Sequence, residues 1–210
     1  MGCNVTLSPS EKVICLHCKS EIQQTNLHTM QPNILHQRFY ELPSLRYAFA
    51  YSWFQQQGAL QKMLHALKYK GHAEVGIYLG RLYGTILLET GYAEMIDYIT
   101  SVPLHYLKYR KRGYNQSDLI AEGIAETSGI PFRKMIRKKY SGTSQTKKHR
   151  SERFENVENT FGILSKMNLR NKHILVVDDV LTTGATMQAA CQPLVESAAT
   201  VSIFTIAAVK

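Results

Sequence analysis

The residues best placed to do chemistry lie at 174–187, Ile-Leu-Val-Val-Asp-Asp-Val-Leu-Thr-Thr-Gly-Ala-Thr-Met. An apolar run ends in two adjacent carboxylates, Asp178 and Asp179. Thr182, Thr183, Gly184, Ala185 and Thr186 follow, where a helical pattern opens. Backbone N–H groups at a helix start, joined by the hydroxyls of Thr182, Thr183 and Thr186, make a site for a phosphate dianion, and Gly184 lets the backbone come close to it. Two carboxylates beside that site can accept hydrogen bonds from sugar hydroxyls or help to hold a hydrated Mg²⁺. An ordinary strand-to-helix turn needs neither paired acids nor the whole Thr-Thr-Gly-Ala-Thr run. The motifs Gly-x-x-x-x-Gly-Lys-Ser/Thr and Gly-x-Gly-x-x-Gly after a strand are absent.

Charge and thiols mark two further places. Residues 108–153 hold 13 Lys and Arg against 4 Asp and Glu, an excess equal to the +9 of the entire chain. Such a concentrated surplus implies an anionic partner there, either a phosphorylated small molecule or a nucleic-acid backbone. Lys108, Arg110, Lys111 and Arg112 are the candidate phosphate donors, read as a basic loop leaving a strand end, with Arg112 foremost. Three of the four cysteines, Cys3, Cys15 and Cys18, crowd into the N-terminus, and in a reducing compartment such a cluster suggests a metal site more than a disulfide framework. Cys191, on an apolar helical stripe, reads as a buried small residue. His65 and His72 read as surface residues, and His105 is the histidine beside the proposed pocket.

The elements that must position these groups follow from periodicity. Strands are expected at 47–54, 98–104, 173–177 and 201–209, and helices at 59–67, 75–88, 116–127 and 185–195, with Asn115 capping the third. The alternation implies an α/β fold, a mainly parallel open sheet flanked by helices, with ligands at the carboxyl ends of its strands. At 210 residues the chain allows one full domain with an appendage of about 40 residues. Residues 1–42, polar and aperiodic, read as a small loop-rich module and residues 43–210 as the main domain. Composition, 44% apolar and 20% charged, excludes wholesale disorder. No apolar stretch approaches the roughly 18 residues of a membrane span, and the first residues lack a basic flank before an apolar run, so a cytoplasmic protein is expected.

Residues 174–187 resemble the loop that binds phosphoribosyl pyrophosphate (PRPP) in type I phosphoribosyltransferases, unbroken from the strand through both acids to Thr186. Three more segments narrow the resemblance to the ComF family, the competence-associated branch of that fold. They are residues 102–119 (Val-Pro-Leu-His-Tyr-Leu-Lys-Tyr-Arg-Lys-Arg-Gly-Tyr-Asn-Gln-Ser-Asp-Leu), with Tyr114 where Phe is usual, residues 143–157 followed by Phe161, and residues 67–71 (Leu-Lys-Tyr-Lys-Gly). The resemblance covers essentially the whole chain.

The resemblance implies that Asp178, Asp179, Thr182, Thr183, Gly184, Ala185 and Thr186 hold PRPP with Mg²⁺, and that Lys108, Arg110, Lys111 and Arg112 face its pyrophosphate. It also implies a lid at 138–153 that closes over PRPP. A basic surface loop is the plain alternative, and the basic segment with Tyr140 nearby also suits single-stranded DNA. A role in DNA uptake and natural transformation is implied, with the uptake machinery as partner. Phosphoribosyl transfer to a nucleobase in salvage is the alternative, and no residue is identifiable as the acceptor's general base. ComF proteins typically begin with two Cys-x-x-Cys pairs that fold a zinc-ribbon-like module. Cys15-Leu-His-Cys18 resembles the second pair and Cys3 the end of the first, which implies a true start upstream of Met1. A Zn²⁺ site on Cys3, Cys15 and Cys18 is then either empty or completed by a fourth ligand such as His17, His28 or water.

Overall fold

The computed structural model of the chain describes residues 3, 6–9, 11–139, 160–164 and 167–210. In chain order its main elements are α1 (Leu16–Ser20), β1 (Leu45–Trp53), α2 (Ala59–Tyr69), α3 (Glu74–Glu89), β2 (Tyr98–Ser101), α4 (Tyr106–Arg112), α5 (Gln116–Ser128), β3 (Ile136–Lys138), β4 (Phe161–Ile163), β5 (His173–Leu181), α6 (Ala185–Glu196) and β6 (Thr200–Ala208). Strands pair in the order β1-β6-β5-β2, every pair parallel, and β3 with β4 forms a separate antiparallel pair.

The central strands are continuous apolar runs because both faces of the sheet are covered. Side chains alternate between the faces. Leu175, Val177, Phe204 and Ile206 pack with Met63, Leu67, Leu79, Tyr83, Ile120 and Ile124 of α2, α3 and α5. On the other face Ile174, Val176, Val201 and Ile203 meet Met187, Ala190, Cys191 and Leu194 of α6. Helices α3 and α5 approach closely where two glycines face each other's backbone: a Cβ on Gly80 would collide with Ile120 O, and one on Gly123 with Ile77 O.

The N-terminal segment is shared between the two cores. Val13, Ile14, Cys18 and Ile22 join the first, and Leu27, Leu35, Phe39 and Leu42 the second. It also runs along the outer side of β1. The Gln31 amide donates to Ala48 O at 3.2 Å and accepts from Ala48 N at 3.3 Å, Asn33 Nδ2 donates to the same carbonyl at 2.8 Å, and Thr25 N donates to Tyr51 O at 3.0 Å. Among the described residues no helix is long and apolar enough to cross a membrane.

Two strand ends differ from the periodicity. The strand expected at 98–104 stops at Ser101; the ladder ends with Val102 N donating to Val177 O, and Pro103 has no N–H to continue it. The strand expected to end at Val177 instead runs through both acids to Leu181, because β6 is long enough to pair Asp178 with Thr205 and Leu181 with Ala208. Past β2 the chain packs α5 on one face, and past β5 it packs α6 on the other. With the helices leaving on opposite faces, the carboxyl ends of β2 and β5 form the switch point whose crevice is where open parallel sheets bind ligands.

Candidate phosphoribosyl site

Asp178 and Asp179 lie at this crevice, on opposite faces of β5. The Asp178 carboxylate is anchored by Ser117, whose hydroxyl donates to Oδ1 at 2.8 Å, and by the Asp179 N–H at 2.9 Å. Burial, and then the neighbouring Asp179 charge, push the Asp178 carboxyl up to about 7. The residue as a whole is half-buried. Asp179 is buried and turned toward α2, where Lys68 Nζ lies 2.8 Å from Oδ2, an ion pair outside the angular range of a hydrogen bond.

Ser117 is held in place by an Asp118-centred network. Asp118 Oδ1 accepts from Ser101 Oγ at 2.6 Å and Asn115 Nδ2 at 2.8 Å, while Oδ2 meets Lys134 Nζ at 2.6 Å. Asn115 caps α5 through Ser117 N, as its sequence position predicts, and donates to Val102 O at 3.0 Å. These bonds tie the start of α5 to the end of β2. The Tyr114 hydroxyl, in place of the usual Phe, donates to Leu67 O at 2.5 Å and ties α5 to the last turn of α2, next to Lys68.

After β5, Thr182, Thr183, Ala185 and Thr186 are exposed and Gly184 is buried. Gly184 caps α6 with φ +93°, a left-handed conformation that glycine adopts freely. Ala185 N donates to Thr183 Oγ1 at 3.4 Å. The loop therefore leaves its hydroxyls and the opening turn of a twelve-residue helix exposed just past the strand that carries Asp178.

The basic stretch is a helix rather than a loop. His105 caps α4 by accepting from Leu107 N, and Gly113, at φ +82°, ends it. Lys, Arg, Leu and Tyr between those stops have no helix breaker among them. None of its residues is buried. Lys108, Arg110 and Lys111 are exposed, Arg110 lies over the Tyr106 ring, and Arg112 donates to Gln116 Oε1 at 2.7 Å and lies over the Tyr69 ring. Most of the expected lid, with Tyr140 and the 143–157 motif, lies outside the described residues; Lys138 and Lys139 end or follow β3.

The Cys3, Cys15 and Cys18 sulfurs all lie within 4.8 Å of one another. That spacing fits the edges of a tetrahedron with Zn–S bonds of about 2.3 Å. Burial, then the two neighbouring sulfurs, push the Cys18 thiol up to about 12, an effect that a bound cation would reverse. His17 faces Glu21 at 3.4 Å, and among the described residues neither it nor His28 joins the cluster. The thiols adjoin the start of α2 and the acids its end, separated by the helix length of about 16 Å. Cys191 is buried, as its position on the apolar stripe predicts.

Sequence reading missed Ser117, Asp118, Lys134, Lys68 and Arg38. Lys68, inside residues 67–71, and Ser117 and Asp118, inside residues 102–119, lie in segments that carry the resemblance, but the roles of all five rest on partners that the fold brings together.

Sheet, crevice and loop together define a phosphoribosyltransferase-type domain, and the family model described as "Phosphoribosyl transferase domain" matches residues 111–209. The chain is 32% identical over 152 residues to the DNA utilization protein YhgH of Salmonella typhimurium, covering 69% of this chain and 65% of that one. It is 34% identical over 91 residues to competence protein F of Haemophilus influenzae (42% and 40%) and 25% identical over 214 residues to competence protein ComFC of Bacillus subtilis (95% and 85%). The chain is thus similar to DNA utilization and competence proteins of the ComF type. It spans 65% of the length of the Salmonella relative.

Proposed function

We propose that the chain binds PRPP with Mg²⁺ in the β2/β5 crevice and serves DNA uptake or utilization in the cytoplasm. The observation that carries this reading is the Ser117-anchored Asp178 carboxylate standing beside the exposed loop of Thr182, Thr183, Gly184, Ala185 and Thr186. The loop takes the 5′-phosphate and Asp178 the ribose hydroxyls. Carboxylate oxygen is the donor type that Mg²⁺ takes alongside substrate phosphates. Asp179, paired with Lys68, sets the charge of the site from behind. Arg112 and its neighbours on α4 face the pyrophosphate.

The DNA half of the reading is supported by the names of the relatives and by α4. Tyr69, Tyr106 and Tyr109 are 64%, 47% and 46% exposed among Lys108, Arg110, Lys111 and Arg112. Rings of this kind stack on unpaired bases while the cations track phosphates, which suits single-stranded DNA. Proteins of the uptake machinery are the expected macromolecular partners. In the N-terminal module Cys3, Cys15 and Cys18 would hold a structural Zn²⁺.

Calorimetric titration with PRPP and Mg²⁺ tests the pocket. Asp178→Asn with Asp179→Asn should weaken binding at least about tenfold, or about 1.4 kcal/mol. Unchanged affinity in the double variant would sink the assignment.

A further inference from the structure

We propose that Arg38 is a positioning residue for the phosphoribosyl loop, turning the Thr183 N–H toward the 5′-phosphate by gripping the backbone behind it. This rests on the reading that PRPP binds at the loop.

Arg38 lies in the single turn His36–Phe39, more than a hundred residues before the loop in sequence and directly behind it in space. Its Nη1 donates to Thr182 O at 2.9 Å and its Nη2 to Val209 O at 2.5 Å. Val209 N in turn donates to Leu181 O at 2.9 Å. The carbonyls of Leu181 and Thr182, the last two before the loop turns, are thus both tied down from outside it. In a trans peptide the C=O and the following N–H point to opposite sides. Holding Thr182 O against Arg38 therefore aims the Thr183 N–H away from Arg38, toward the open side of the loop.

Two neighbours of Arg38 act on the next places along the chain. Phe39 fills the space beside Gly184, where a Cβ would lie 3.2 Å from its Cε1 and Cζ. Glu41 accepts a hydrogen bond from Gln188, in the first turn of α6. Residues 38, 39 and 41 thus brace the loop at Thr182, Gly184 and Gln188, and the hydroxyl side stays exposed. A planar guanidinium fork can serve two carbonyls from different segments at once, which a single ammonium cannot do at the same angles. A loop held in its binding shape beforehand loses less entropy when the ligand arrives.

The test is calorimetry with PRPP, ribose 5-phosphate and pyrophosphate, each with Mg²⁺, on the wild type, Arg38→Ala and Arg38→Lys. Arg38→Ala should lose about tenfold or more in affinity for ribose 5-phosphate and for PRPP alike, with pyrophosphate binding unchanged. Arg38→Lys should fall between, and millimolar guanidinium ion should restore part of the loss in Arg38→Ala. Unchanged ribose 5-phosphate affinity, or an equal loss for pyrophosphate, would overturn the proposal, because the second result means general loosening. If Arg38→Ala does not fold, Arg38→Lys carries the same comparison. A wild type that binds neither sugar phosphate removes the pocket itself and this proposal with it, whereas a wild type that binds both and is matched by the variants removes only the role of Arg38.

Discussion

Lys68, in the last turn of α2, places its ammonium 2.8 Å from Asp179 Oδ2, with side chains 23% and 8% exposed. An ion pair this sheltered is asymmetric in its consequences, since removing either member leaves the other charge unpaired. Lys68→Met should destabilise the fold by about 3 kcal/mol, the lower part of the range for buried pairs because Lys68 is partly solvated. Adding Asp179→Asn should recover most of that loss. Urea unfolding of the two single variants and the double variant closes the cycle, and additive effects would mean that the pair does not couple.

Asp178 makes stability fall as pH rises. Its carboxyl is pushed from 3.8 up to about 7, chiefly by burial and secondly by Asp179, so the folded state binds a proton that the unfolded chain releases. The stability linked to that proton is fully present below the unfolded value and is lost as pH climbs through about 7. Since Asp178 is only half-buried as a residue, the roughly 4 kcal/mol equivalent of the whole shift is an upper limit. Asp178→Asn should flatten the stability profile between about pH 4 and about pH 7. A slope identical to that of the wild type would show that other groups set it.

Gly184→Ala places a Cβ at φ +93° and 3.2 Å from the Phe39 ring. We expect a destabilisation of about 1–3 kcal/mol and a matching fall in PRPP affinity. Combining it with Phe39→Leu should relieve the contact but not the backbone strain, so recovery should be partial. Full recovery of the melting temperature would assign the effect to the contact alone.

Replacing Lys108, Arg110 and Lys111 with Gln should leave stability within about 0.5 kcal/mol, because no residue of α4 is buried. Binding of single-stranded DNA should weaken, and the slope of log affinity against log salt should become shallower by about 2, close to 0.7 per lost phosphate contact. An unchanged slope would take α4 out of the DNA surface.

Much of this was legible in the sequence, and the misses share a cause. The paired acids, the threonine run and the Asn115 cap are local signals, each readable from a few consecutive residues, and the sheet follows from apolar period alone. The helix at Tyr106–Arg112 was not legible, because a segment with no buried residue carries no hydrophobic period. Ser117 and Lys68 act through groups 61 and 111 positions away, and Arg38 through two that are 144 and 171 positions away. Periodicity reports what faces the core, and such partners are brought together only by the topology.

The Gln31 amide, which donates to and accepts from Ala48, imitates one residue of a neighbouring strand, and Thr25 and Asn33 extend the imitation along β1. The first forty residues therefore work as a guard on an otherwise sticky flank. Trimming them to isolate the sugar-phosphate half would bare a row of unsatisfied carbonyls on a strand buried from Ala48 to Ser52, an invitation to pair with another copy. Aggregation of such a fragment would report the loss of that guard and carry no information about the thiols.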